Sequence, residues 1–318
     1  MKEMRSLIAI IAMVSLALAA SCEHKKIVCP APEEINVAFE WDNAPAADVE
    51  GMTLFFYPLD EGGRVWRFDI AGSAGGQVMI PSGRYELIAC NNDLPGIRLE
   101  NTGNSLTIAA AARKTSQLED GIVYAGTGML YSAKVGGIEV TPCGVSYILP
   151  SGDMKECGRR IIRCSPDSVS TLYTVMLTHV SGMERLRSAS VALEGVHTSV
   201  LLNGGLPAGH SAAVSVALDS DGNTLSGKAC AFAPVNPASA SYRLLLRVVC
   251  TDGSVFVREI RVKPENIKIS SPRNVIITVD GIEIPDKGTP GDIGGIDAVV
   301  DGWEEVEIDL SPSIGAPS

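Results

Sequence analysis

The chain has 318 residues, a formal net charge of −11, 46% apolar residues and only 5% aromatics. An acidic balance of this size counts against nucleic acid as a partner, because phosphates would be repelled. The length suggests two domains, the apolar content is ample for a core, and 32 glycines with 18 prolines imply many turns.

The first element is a targeting segment. Lys2 and Arg5 precede an unbroken apolar run, "SLIAIIAMVSLALAA" over residues 6–20, which ends in small residues. That is the grammar of an export signal, too short for a comfortable transmembrane span. "AAS" directly before Cys22 predicts a lipoprotein signal over residues 1–21, with Cys22 as the lipidated first residue of the mature chain. Ala19 stands where leucine is usual in such signals, and "ALAAS" also offers an ordinary cleavage site, so a simply secreted protein is the alternative. Removing Lys2, Glu3 and Arg5 takes the charge from −11 to −12. Residues 22–29 read as a lipidated linker, and Glu23 after Cys22 is compatible with surface export.

From residue 30 the dominant period is two. "INVAFEW" puts Ile35, Val37, Phe39 and Trp41 on one face, as a half-buried strand requires. "MTLFFYP" is a continuous apolar strand. "RVWRFDI" alternates at Val65, Phe68 and Ile70 around an irregularity at Trp66. After the Pro81–Gly83 turn, Tyr85, Leu87 and Ala89 alternate again, and "SLTIA", "GIVYAGTGMLY" and "GIEVTPCGVSYILP" continue the series to about Pro150. Short strands with frequent turns and few helical stretches indicate a β-sandwich over residues 30–150. Residues 151–169, with Lys155, Arg159, Arg160 and Arg163 among turn residues, read as a solvated junction, or alternatively as a protease target.

Residues 170–285 repeat the pattern as a second β-sandwich. "TLYTVMLTHV" is a strand, "SGMERLRSA" holds a helical turn, and "SVALEGV" and "TSVLLNGG" read as strands. "SYRLLLRVVC-TDG-SVFVREIRV" is a hairpin with Asp252-Gly253 at its tip. "NVIITVDGIEIP" predicts a last pair around Asp280-Gly281. Residues 286–318 form an acidic, Gly-rich tail. Within it, Val306, Ile308 and Leu310 alternate after Trp303, which suits either the domain's own last strand or one added to a partner's sheet edge.

The chemistry on offer is thin. "GHSAA" resembles a nucleophile elbow at Ser211, but "AVSVAL" behind it alternates as a strand where the elbow needs a helix. "DSDGN" at 219–223 lacks the remaining ligands of a calcium loop, so a hairpin turn is expected, with a weak surface calcium site as the alternative. His24, His179, His197 and His210 have no metal-ligand spacing, and His179 reads as a hydrogen-bonded core or edge residue. Beyond Cys22 the cysteines are odd in number. Cys157 and Cys164 could close a small loop, whereas Cys90, Cys230 and Cys250 read as buried thiols. No catalytic residue, metal or cofactor is expected.

Several of these stretches are shared. The "FEW" strand, "FFYP", "IPSGRY" and "NND" of the first half resemble a group of Bacteroidales lipoproteins known as a domain of unknown function within the wider fimbrillin-like set. "HVSGMERLRSASVALEGVHTSVLLNGG", "GNTLSGKACAF", "LLLRVVCTDGSVFVREIRV" and the terminal "DGWEEVEIDL" are similar to fimbrial anchor or minor-subunit lipoproteins of the same bacteria. The resemblance implies an all-β protein of two transthyretin-like (Ig-like) sandwiches in tandem, attached to the outer membrane by lipid. It implies a fimbrial anchor or accessory adhesion subunit, with fimbrial partners joined by strand addition. Polymerising stalk subunits of that group are cleaved after a basic residue, and residues 23–60 hold no clear match, which favours a retained anchor. A surface glycan- or nutrient-binding lipoprotein is the alternative.

Overall fold

The computed structural model describes residues 32–94, 96–118, 121–148, 154–157, 160–271 and 273–285. Among them the chain is almost entirely β, with three single-turn 3-10 segments at Met183–Arg185, Pro237–Ser239 and Pro264–Asn266. It divides into two compact units. Among the described residues, one gathers those up to 113 with 127–171 and 197–210, and the other gathers 114–126, 172–196 and 211–285.

The first unit is a sandwich. A three-stranded sheet runs in the order Ile161–Cys164, Pro32–Phe39, Gly75–Pro81. The sheet facing it runs Met154–Cys157, Gly144–Ile148, Tyr131–Thr141, Gly83–Asn91, Gly51–Pro58, Trp66–Ala71. Period-two alternation fills the space between them with Ile35, Val37 and Phe39 from one sheet and Met52, Leu54, Phe56, Tyr85, Leu87 and Ala89 from the other. Trp66, Phe68 and Ile70 pack on this core in one phase. The strand therefore starts at Trp66, and the irregularity expected there arose from counting Val65 into it.

The segment read as a solvated junction does something different. Met154–Cys157 extends one sheet, and Ile161–Cys164 pairs parallel with Pro32–Phe39, with Ile162 and Cys164 fully buried. Its alternation was masked by Arg160 just before the strand and by Arg163 on its outer face. Those arginines meet carboxylates of the neighbouring strand: Arg160 lies 3.1 Å from Glu33 and Arg163 2.6 Å from Glu40.

The Gly51–Pro58 strand is covered on both faces. Opposite the sandwich core it presents Thr53, Phe55 and Tyr57, all buried, alongside Ile88 and Cys90. Two segments reach this face: the connecting loop of the hairpin Ile97–Glu100/Ala109–Ala112, and residues 202–203, which follow the 199–201 stretch paired with that hairpin. Tyr57 donates to the Thr102 carbonyl at 3.0 Å, Ser132 to the Leu202 carbonyl at 3.0 Å, and Lys134 to Asn203 Oδ1 at 3.0 Å. A continuous apolar run is what burial on both sides requires.

In the second unit the strand order is Val255–Arg261, Arg243–Cys250, Leu186–Leu201, Pro207–Asp221, Thr224–Ala231, Thr171–Thr178, Asn274–Asp280, Ile267–Ser271. One face of each inner strand feeds a single core that includes Tyr173, Val175, Leu193, Val216, Leu244, Leu246 and Ile277, so the sheet folds over on itself. "SVALEGV" and "TSVLLNGG" are one strand, Leu186–Leu201, carried through Gly195 at φ 95°. A Cβ there would sit 2.8 Å from the Ser241 carbonyl oxygen, so both the turn of the backbone and the close approach call for glycine. The expected helical turn appears at Met183–Arg185, and the hairpin tip at Asp252-Gly253, with Val249 opposite Val255. No hairpin forms at Asp280-Gly281. Asn274–Asp280 pairs parallel with Thr171–Thr178, and the chain continues along that neighbour through a Ser181–Glu283 bridge, burying Ile282 and Ile284.

Candidate functional site

Cys22, Glu23, His24, Arg159, Trp303, Val306, Ile308 and Leu310 lie outside the described residues, as do the side chains of Lys155 and Cys157. Among the described residues singled out in the sequence, none assembles reactive chemistry. Ser211 sits inside the Pro207–Asp221 strand, exposed, and is followed by buried Ala212, Ala213 and Val214. Without the strand-to-helix turn there is no raised hydroxyl over an oxyanion hole. Asp221 and Thr224 are paired across the two-residue turn Gly222-Asn223, with Gly222 at φ 56°, so "DSDGN" is a hairpin tip. Among the described residues no group of three His, Cys, Asp or Glu side chains could hold a metal ion.

His179 is neither in the core nor in a strand. The chain leaves Thr171–Thr178 and turns left-handed there, at φ 51°, which puts the exposed imidazole Nδ1 2.5 Å from Asp280 Oδ1. Thr178 Oγ1 donates to the same oxygen at 2.7 Å. These two hydrogen bonds hold the Asp280 carboxyl below the usual carboxylate range. Burial lowers the affinity of half-buried His197 for a proton.

Burial makes three of the thiols inert by the same physics. Cys90 and Cys164 are free, fully buried, and pushed up to about 12 by desolvation, while half-buried Cys230 rises to about 11. Cys164 is a free thiol within the first unit's core, and the side chain of Cys157, expected to close a small loop with it, lies outside the described residues. The aromatic supply faces inward too. Trp41 donates to the Ser73 carbonyl at 2.7 Å and meets Tyr131 edge-on, and Trp66 lies against the core under the Arg64 guanidinium.

What the second unit does present is two sheet edges. Among the described residues, Val255–Arg261 pairs only with Arg243–Cys250, and Ile267–Ser271 only with Asn274–Asp280. Within that set each leaves a row of backbone donors and acceptors unmatched along one side, the structural requirement for taking up a further strand. Exposed Val255 and Val257 lie on the outer face of the first edge, beside Glu259 and Arg261. A shallow cleft at Gly195 opens nearby, lined by Glu194, Ser211, Tyr242 and Arg243. Arg243 Nε there lies 2.6 Å from Glu194, and Arg261, which also lines the cleft, lies 3.6 Å from Glu259 outside it.

Comparison with known proteins gives this architecture relatives. A candidate fimbrium anchoring subunit of Bacteroides ovatus, Fim4B, is 27% identical over 103 residues, which is 32% of this chain and 30% of that protein. The match thus spans under a third of the relative's length. The crystal structure of a candidate adhesin from Bacteroides ovatus is similar over 82% of this chain and 95% of its own, with TM-score 0.63 and 18% identity, which is a shared fold. The fimbrial anchor protein Mfa2 of Porphyromonas gingivalis is similar over 78% of this chain and 90% of its own, at 13% identity and TM-score 0.46. Residues 21–219 match the domain of unknown function DUF5119, and the chain belongs to that family.

Proposed function

We propose that this chain is a non-enzymatic, lipid-anchored outer-membrane protein serving as a fimbrial anchor or accessory adhesion subunit. The observation that carries the reading is the 103-residue similarity to a candidate fimbrium anchoring subunit. The shared fold with a candidate adhesin and the pair of open sheet edges support it. In this reading Cys22 bears the acyl chains, and more than one chain is needed because a single one binds a bilayer only marginally. The two β units act as spacers. The strand pattern of Trp303, Val306, Ile308 and Leu310 is the contact for fimbrial subunits, made by strand addition. Glycan binding is the weaker reading, since Trp41 and Trp66 pack on the core.

The test is metabolic acyl labelling of the native protein and of Cys22→Ala, combined with protease treatment of whole cells and co-purification with fimbrial subunits. Label on the native chain alone, surface cleavage and recovered subunits are expected. Equal absence of label from both would end the anchor hypothesis.

A further inference from the structure

The two edges of the second unit differ in a way that selects one of them. At Val255–Arg261 the register puts Phe256, Arg258 and Ile260 opposite Val248, Leu246 and Leu244, all fully buried, so these three form the core-side row. A charged Arg258 on that row obstructs an added strand, a common protection of sheet edges. The outer row carries Glu259 and Arg261, and Glu259 lies within 3.6 Å of both Arg243 and Arg261. Among the described residues this row's charges are thus already paired with one another, and it offers an acidic strand no unpaired cation of the kind Lys268 supplies.

Ile267–Ser271 is built the other way round. Ile267 and Ile269 lie opposite Ile277 and Val275, which are fully buried, so both isoleucines are on the core-side row. Ile269 is nonetheless 39% exposed. The charge of this edge, Lys268, is on the outer row opposite Ile276, and a lysine there would by itself only blunt the edge. A core-facing isoleucine with an uncovered flank needs an apolar neighbour in the next strand position.

The chain carries a segment of matching pattern. In "EVEIDL", residues 305–310, Val306, Ile308 and Leu310 alternate with Glu305, Glu307 and Asp309. An added strand with its apolar row beside Ile267 and Ile269 would set its carboxylates on the row of Lys268. Reach is no obstacle. Ile282 and Ile284 are buried in this same core, and the Ile284 amide donates to the Ser181 carbonyl at 3.0 Å. From residue 286 the chain up to 304 can span about 60 Å when extended.

We propose that, in the unassembled chain, residues 305–310 add as a strand to the chain's own Ile267–Ser271 edge, with Ile308 covering Ile269 and the acidic row meeting Lys268. The assignment does not depend on the fimbrial reading, and a failed acyl-labelling experiment would leave it standing.

Amide hydrogen exchange on the full-length protein, compared with Ile308→Asp, tests it. The expected result is exchange of 267–271 at least tenfold faster in Ile308→Asp, with Thr171–Thr178 unchanged. Lys268→Glu should loosen the same segment, and adding Glu307→Lys to it should restore protection. Equal exchange in native and Ile308→Asp proteins would overturn the proposal. Protection that grows with protein concentration, together with a dimer mass in light scattering, would overturn the same-chain assignment in favour of a second copy's tail. Rapid exchange in the isolated protein that slows only on adding fimbrial subunits would overturn it in favour of a partner strand.

Discussion

Gly51–Pro58 and Thr171–Thr178 are strands of equal length in different settings. The first is buried at seven successive positions, whereas the second alternates buried and half-buried from end to end. The difference is already present in the residues: "MTLFFYP" has no polar side after Thr53, while "TLYTVMLT" returns to threonine. The number of layers covering a sheet is thus written in the presence or absence of a polar row. A β-protein can place a two-face-covered strand beside one-face-covered ones without any change in backbone geometry.

The largest expected effects come from opening that covered sheet. Phe55→Ala and Phe56→Ala remove rings from opposite faces, and each is expected to cost about 3–5 kcal/mol. In Thr171–Thr178 only one face should respond, with Leu177→Ala losing about 2–5 kcal/mol and Thr174→Ala about 0.5 kcal/mol or less. Urea unfolding followed for each unit reads both pairs. A small loss at Phe55 would break the comparison, because it would mean the second face is not closed.

A smaller effect sharpens the same contrast. Cys90 lies on the face shared with Phe55, and Cys164 in the sandwich core, whereas Cys143 is exposed at a hairpin tip. With both buried thiols pushed up to about 12, neither should react with an alkylating reagent at pH 8 in native protein, while Cys143 labels readily. Mass spectrometry of the labelled chain decides it, and fast labelling of Cys90 would show that its covering layer opens.

The smallest effect belongs to the alternating strand's own end. The Asp280 carboxylate accepts hydrogen bonds from Thr178 and His179, so its folded pKa is depressed. Its contribution is present above the ordinary carboxylate value near 3.9 and is lost as the pH falls through the lowered one. Asp280→Asn should raise amide exchange around residues 279–282 at pH 6. It should also remove any further loosening there on acidification. Because the carboxylate is exposed, the rest of the unit should not change.

The β class, the core rows and the hairpin at Asp252-Gly253 were legible because each is a local property of period two or of turn chemistry. Ile35, Val37 and Phe39 declared their face without help from any neighbour. What escaped the sequence was partner choice. Nothing near Ile161 says that it pairs parallel with Asn36, more than a hundred positions earlier, and Arg160 and Arg163 disguised the strand by offering charges that only Glu33 and Glu40 explain. The same blindness turned "VDGIEIP" into a hairpin, since Asp280-Gly281 is good turn chemistry but Ile282 and Ile284 find their burial along Ser181. The open edge shows the limit most plainly. Ile269 looks like any strand isoleucine until its register with Val275 shows that its exposed flank faces the core side.

The central position of Pro32–Phe39 has a mechanical consequence. It is hydrogen-bonded on one side to Ile161–Cys164 and on the other to Gly75–Pro81. A tension applied at its N-terminal end and directed along the strand would strain both ladders sideways at once, since their hydrogen bonds lie across the direction of pull. Such a load must shear many bonds together and cannot peel them one after another. It must also draw Ile35, Val37 and Phe39 out of the core in the same movement. The described strand nearest the predicted tether is thus one held on both sides against extraction by force.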